Sequence, residues 1–210
     1  MTRRLSLHPE DPQPRLLRQA VEVLRAGGVV ATPTDASHAL VWRIGDRDAL
    51  ERVRRIRALD DRHLMTLLCR DLSQLSVYAA VDTRQFRFLR EWTPGPYTFV
   101  LPATREVPRR LLHPSRRTLG LRMPDTPLLR GLLDELDEPL LGTTLLLPGD
   151  DQPLTDTDDI AARLHGRIDL ILEGGRTGIE PTTIVDLTGS EPTVIRVGCG
   201  PVEAMLGRGR

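Results

Sequence analysis

Apolar residues recur along the chain in two alternating rhythms, one helical and one extended. Residues 11–28, DPQPRLLRQAVEVLRAGG, open with prolines and place Leu16, Leu17, Ala20, Val21, Val23 and Leu24 at helical spacing. The run stops at Gly27-Gly28, which predicts an amphipathic helix. GVVATPT (28–34) then predicts a short strand entering a loop at Pro33. DRDALERVRRIRAL (46–59) predicts a second helix, with Leu50, Val53 and Ile56 or Arg57 on its apolar edge. HLMTLLC (63–69) predicts a buried strand. VDTRQFRFLREW begins with Asp82 and carries Gln85 three positions on, the spacing of a capping box.

The alternation continues to the end of the chain. PYTFVLPA and TLGLRMP are strand-like, and TPLLRGLLDEL predicts a helix capped by Asp125 or Thr126. PLLGTTLLLPG predicts a strand and a loop, TDTDDIAARLHG a helix, and RIDLILEGG a buried strand with a glycine turn. PTTIVDLTG and TVIRVG finish as two β-rich segments around GSEP. Short helices mixed with five to seven strands predict one α/β domain on a twisted, partly antiparallel sheet with helices beside it.

Composition narrows the chemistry. The 210 residues suffice for one domain with a substantial core. The formal net charge is zero, so no global field draws the protein to nucleic acid or membrane, and a polyanion site must be local. Aromatic residues are 3%, too few for an extensive base-stacking platform. All 29 basic residues are arginine, which makes an arginine cluster less diagnostic than usual. Arg52, Arg54 and Arg55 in RVRRIRALDDRH therefore predict the solvated face of a helix, and an RNA-binding role, if present, would start from Arg54 and Arg55. Cys69 lies in an apolar run and predicts a buried thiol. The two cysteines and His8, His38, His63, His113 and His165 show no metal-ligand spacing. GDDQPLTDTDD lacks the order of a calcium loop and predicts helix capping and a loop. No apolar run approaches the roughly 20 residues that span a bilayer, and no signal core opens the chain, so the expected location is cytoplasmic.

Polar side chains cluster where the predicted strands end. They are Thr34 and Asp35, Thr118 and Arg122, Thr143 and Thr144, Thr182 and Thr183, and Arg196. Ligands of α/β sheets favour the crevice beyond strand ends, and hydroxyls and guanidinium forks hold phosphates and carboxylates. No phosphate-loop lysine and no GxSxG elbow is present, so no catalytic nucleophile is assigned.

Five ordered stretches, GGVVATPTDASHAL, WTPGPYTFVL, TLGLRMPDTP, EPLLGTTLLLPG and PTTIVDLTGSEPTVIRVG, resemble the landmarks of the YrdC-like threonylcarbamoyl-AMP synthase family. The resemblance spans about residues 14–203 of a single domain 1–210 and is nearest the YciO branch. It implies the YrdC-like fold. It also implies formation of threonylcarbamoyl-AMP from threonine, bicarbonate and ATP, with Mg²⁺, for the threonylcarbamoyladenosine of tRNAs that read ANN codons. Family members carry a basic face with affinity for double-stranded RNA. By position, the threonine site would include Thr34, His63, Arg122 and Thr182. The nucleotide site would include Arg57, Thr118, Thr144 and Arg196.

Two motifs depart from the family. Counting back from the strand at Met65 places its Lys-x-Arg lysine on Arg57 and its arginine on Leu59; the competing register uses Arg55 and Arg57 and needs an insertion. The Ser-x-Asn motif becomes Thr144-Leu145-Leu146, and His38 stands where the family has tyrosine. Losing a polar contact to a charged group costs roughly 1.5–3 kcal/mol. Three readings follow: a weak threonylcarbamoyl-AMP synthase, a relative that consumes threonylcarbamoyl-AMP or acts on modified tRNA, and a non-catalytic binder of double-stranded RNA.

Overall fold

The computed structural model describes residues 2–60, 63–112 and 115–206. Asp61 and Arg62 of the arginine-rich stretch, and His113 of the histidine set, lie outside the described residues. The chain runs β1 (Arg3–Ser6), α1 (Pro14–Arg25), β2 (Val30–Thr32), β3 (Ala39–Arg43), α2 (Arg47–Arg57), β4 (Thr66–Leu68), α3 (Leu72–Tyr78), α4 (Thr83–Trp92) and β5 (Tyr97–Pro102). It continues through β6 (Thr118–Arg122), α5 (Pro127–Leu136), β7 (Leu140–Thr144), α6 (Thr157–Leu164), β8 (Leu170–Glu173), β9 (Thr183–Asp186), β10 (Thr193–Arg196) and α7 (Glu203–Leu206).

All these strands join one sheet in the order β1-β8-β2-β3-β7-β4-β6-β5-β9-β10. Parallel pairs (β1/β8, β2/β8, β4/β6, β5/β9) mix with antiparallel ones (β2/β3, β3/β7, β4/β7, β5/β6, β9/β10). Side chains alternate between the two faces, so each face builds its own core. On one face Leu40, Trp42, Leu67, Leu121 and Phe99 pack under Leu50, Val53 and Ile56 of α2, Leu75 of α3, Leu89 of α4 and Ile160 of α6. On the other, Val30, Val41, Leu68, Leu140 and Leu170 pack under α1 and α5. Burial on both faces explains why the central strands read as continuous apolar runs.

Local chemistry fixes the helix ends. Asp46 accepts from the Ala49 N–H to start α2. Asp82 and Gln85 close the expected capping box on α4. Thr126, not Asp125, caps α5. Asp156 accepts from the N–H groups of Asp158 and Asp159, so the acidic run does cap α6.

Two expectations need correction. The sheet has ten strands rather than five to seven. β1 is an edge strand of sequence RRLS, mostly exposed, with no apolar pattern to reveal it. β2 does enter a loop at Pro33, and the chain returns at Ala39 as β3, antiparallel to β2. On α1, Leu16 and Val23 are only partly buried; Leu17, Ala20, Val21 and Leu24 carry the core.

Phe99 is fully buried and meets Phe88 edge-on, with ring centroids 6.1 Å apart. Phe99→Ala should cost about 3–5 kcal/mol through lost burial and a cavity. Denaturant unfolding will show a lower midpoint with an unchanged slope if this account holds.

Candidate functional site

The face under α1 and α5 changes character along the strands. Beyond the apolar patch that those helices cover, the same face presents Thr66, Thr98, Gly120, Arg122, Gly142 and Thr144, of which all but Gly120 border a hollow of about 50 Å³. That is room for a few waters. Two strand glycines make the space. A side chain at Gly120 would come within 3.0 Å of Thr98 Cγ2, and one at Gly142 within 3.2 Å of Leu68 Cδ1. Thr66 lies opposite both glycines in the register. The β2–β3 loop adds Thr34 and Ser37, and Thr182 comes in just before β9.

Arg122 is the charge in this hollow. It ends β6 and is 6% exposed. Its Nη2 donates to the Asp35 carboxylate and, at 3.4 Å, to Thr34 Oγ1. Its Nε is buried without a partner. Burial lowers the Arg122 pKa, and the nearby Asp35 carboxylate opposes that shift. Asp35 also accepts from the Asp125 N–H at 3.1 Å, tying the β2–β3 loop to the start of α5. Thr34 Oγ1 donates to the Ser37 carbonyl and accepts from the Ala36 N–H, which locks the loop. Thr98 and Thr182 share a hydrogen bond of 2.9 Å across the hollow. The Cys199 thiol lies close by; burial raises its pKa and the Arg122 charge pulls the other way.

Of the residues expected from sequence, Thr34, Arg122, Thr143, Thr144 and Thr182 line this hollow together. Arg196 flanks it, donating to the Thr182 carbonyl at 2.8 Å. Thr118 shares Arg122's face but begins the same strand, about 13 Å away along it. Arg57 ends α2 and comes from the opposite face, where it donates to the Thr143 hydroxyl and the Leu146 carbonyl. Arg55 does not reach that strand end; its Nε meets the Glu51 carbonyl at 3.4 Å on the exposed side of α2. His63 sits before β4, outside the hollow; desolvation and then the Arg57 charge lower its pKa. Leu59 packs against the core cluster beneath the sheet. Ser37, Thr66 and Thr98 were missed, and the glycines in TLGLR and LLGTT were the available signal for them. Thr183 turns away, donating to the Gly200 carbonyl.

The solvated-face expectation for α2 holds only for Arg55. Arg54 has 11% of its side chain exposed and pairs with Glu51. Arg52 pairs with Asp169 and the Gly27 carbonyl. These arginines fasten α2 to its neighbours. A larger groove of about 710 Å³ lies between α4 and the β9–β10 turn, but none of the expected site residues lines it.

The mixed sheet with helices on both faces defines the class: a single α/β domain, here with a buried arginine beside a hydroxyl-lined hollow. The family model Sua5_yciO_yrdC, described as "Telomere recombination", matches residues 22–198. The chain belongs to that family. It is 50% identical to YciO of Escherichia coli K12 over 95% of this chain and 97% of that one. The crystal structure of E. coli YciO superposes with a TM-score of 0.92, covering 97% and 98% of the two chains. The Pyrococcus abyssi Sua5 structure complexed with L-threonine gives a TM-score of 0.89 at 25% identity, over 98% of this chain and 60% of that one. A threonylcarbamoyl-AMP synthase of Halorhodospira halophila is 30% identical over 85% of this chain and 93% of its own. Among the described residues no helix is long and apolar enough to cross a membrane.

His38, which stands where the resemblance expects tyrosine, is 1% exposed. Its Nδ1 meets Thr177 Oγ1 at 2.8 Å, and burial lowers its pKa from 6.5 to about 4. The unfolded chain therefore binds a proton near pH 6.5 that the folded chain refuses until about pH 4. Stability should fall as pH drops through that window, by a few kcal/mol at most, and be recovered as pH rises above it. His38→Gln should flatten this slope when unfolding is followed against pH.

Proposed function

We propose that the chain performs threonylcarbamoyl-adenylate chemistry, with L-threonine at the Arg122 end of the hollow and ATP extended along the same face. The observation that carries this is Arg122: a buried guanidinium with an unpartnered Nε, set among threonine hydroxyls. Threonylcarbamoyl-AMP synthases among its relatives, and a related structure complexed with L-threonine, support the same substrate class.

In this reading the threonine amine combines with bicarbonate to give a carbamate and water. A carbamate oxygen then attacks the α-phosphorus of ATP, and pyrophosphate leaves. No protein nucleophile is required, since such catalysis is positioning plus electrostatic stabilisation. Arg122 clamps the threonine carboxylate, Thr34 and Thr182 orient the amino acid, and Thr118, Thr144 and Arg196 line the way for the nucleotide. Arg57 adds positive charge from beneath β7, and His63 stands near it at the edge of the amino-acid side. Among the described residues no three His, Cys, Asp or Glu side chains gather to hold a metal. Mg²⁺ would enter this reading with the ATP phosphates. The product would serve tRNA modification, with exposed Arg55 open to an RNA phosphate and Arg54 behind it.

One observation favours a second reading. Arg57 spends two of its nitrogens on Thr143 and Leu146, and leucines occupy the two positions where the family has polar groups. With fewer free donors offered to a phosphate, this arrangement would suit a protein that hydrolyses threonylcarbamoyl-AMP, or acts on modified tRNA, better than one that makes the adenylate quickly.

Pyrophosphate release with threonine, bicarbonate and MgATP should exceed background, and Arg122→Met should lower it about 10- to 150-fold, the loss expected for one charged contact. No release above background, together with no threonylcarbamoyl-AMP loss faster than in buffer, would contradict both readings. Loss of the adenylate without pyrophosphate release would select the second.

A further inference from the structure

The ion pair at the edge of the hollow has its own consequence for substrate choice, resting on the amino-acid reading just given. Arg122 and Asp35 have 8% and 12% of their side chains exposed, so each depends on the other for neutralisation. The hollow beside them holds about 50 Å³, so a ligand enters by parting them or by wedging against the Arg122 edge that carries the unpartnered Nε. Asp35 is anchored independently of Arg122, through its other oxygen to the Asp125 N–H. Parting the pair therefore leaves a fixed carboxylate within reach of whatever binds the arginine.

Charge decides which ligands can do this. A simple carboxylate would take Arg122 and leave Asp35 buried and unpaired, with net negative charge in a desolvated site. A simple amine would leave Arg122 unpaired. A zwitterion brings one charge of each sign and keeps the site neutral, its carboxylate on Arg122 and its ammonium on Asp35. We infer that Asp35 is a specificity-determining residue that makes the hollow accept an α-amino acid and reject the corresponding hydroxy acid. Among the described residues that line the hollow Arg122 alone is charged, and Asp35 is its ion-pair partner, so this pair is the charge a ligand meets first.

The test is calorimetric titration of the full chain with L-threonine and with 2,3-dihydroxybutyrate, in which a hydroxyl replaces the ammonium. The wild type should bind threonine at least about tenfold more tightly, since a charged hydrogen bond is at stake. Asp35→Asn should bring the ratio close to one by weakening threonine and strengthening the hydroxy acid. Equal binding of the two acids by the wild type, or an unchanged ratio in D35N, overturns the inference while leaving the amino-acid site intact. Failure of the wild type to bind threonine at all overturns the amino-acid reading itself. The wild-type comparison needs no variant, so a D35N chain that does not fold still leaves the inference open to refutation.

Discussion

A guanidinium buried in the middle of a sheet has to be neutralised where it stands, and much of this site follows from that need. Arg122 ends β6, one of the most enclosed strands of the molecule. Asp35 meets it from the β2–β3 loop, which Thr34 and Ser37 hold in shape. That same loop joins β2 to β3, and Asp35 ties it to the start of α5. One ion pair thus connects two parts of the chain far apart in sequence, the β2–β3 loop and the β6–α5 junction. Replacing either partner alone would leave a buried charge, which is strongly destabilising, so the pair constrains the fold as well as the ligand.

Space around the pair comes from small residues. Gly120 and Gly142 thin the sheet where a side chain would have filled the hollow, and threonines supply the rim. The same face, a few residues along, is packed with leucines under α1 and α5. Core and site therefore share one surface, and the change from leucine to threonine and glycine along the strands marks the boundary. Arg57 serves from the far side, joined to the hollow through Thr143.

Much of this was legible in the sequence, because it depends on local pattern. The capping residues Asp82 and Gln85, the glycine stops and the apolar strand runs all act within a few residues, and they appeared where expected. Arg122 and Thr182 stood out as polar residues at strand ends. What stayed hidden depends on distant partners. β1 pairs with β8 although its own sequence is polar. Arg54 looked solvated until its neighbours covered it. Thr118 and Arg122 lie close in the chain but at opposite ends of a strand, so a single motif spans two places in the site. Asp35 appeared only as a neighbour of Thr34, and its pairing across more than eighty residues becomes visible only in three dimensions.

The central claim is that Arg122 is the anchor for a ligand carboxylate. A crystal structure of the chain soaked with L-threonine tests it most directly. The account predicts the threonine carboxylate at about 2.7–2.9 Å from Arg122 Nε, the nitrogen that has no partner in the free protein. Threonine bound elsewhere, with Arg122 Nε still unpartnered, would contradict it.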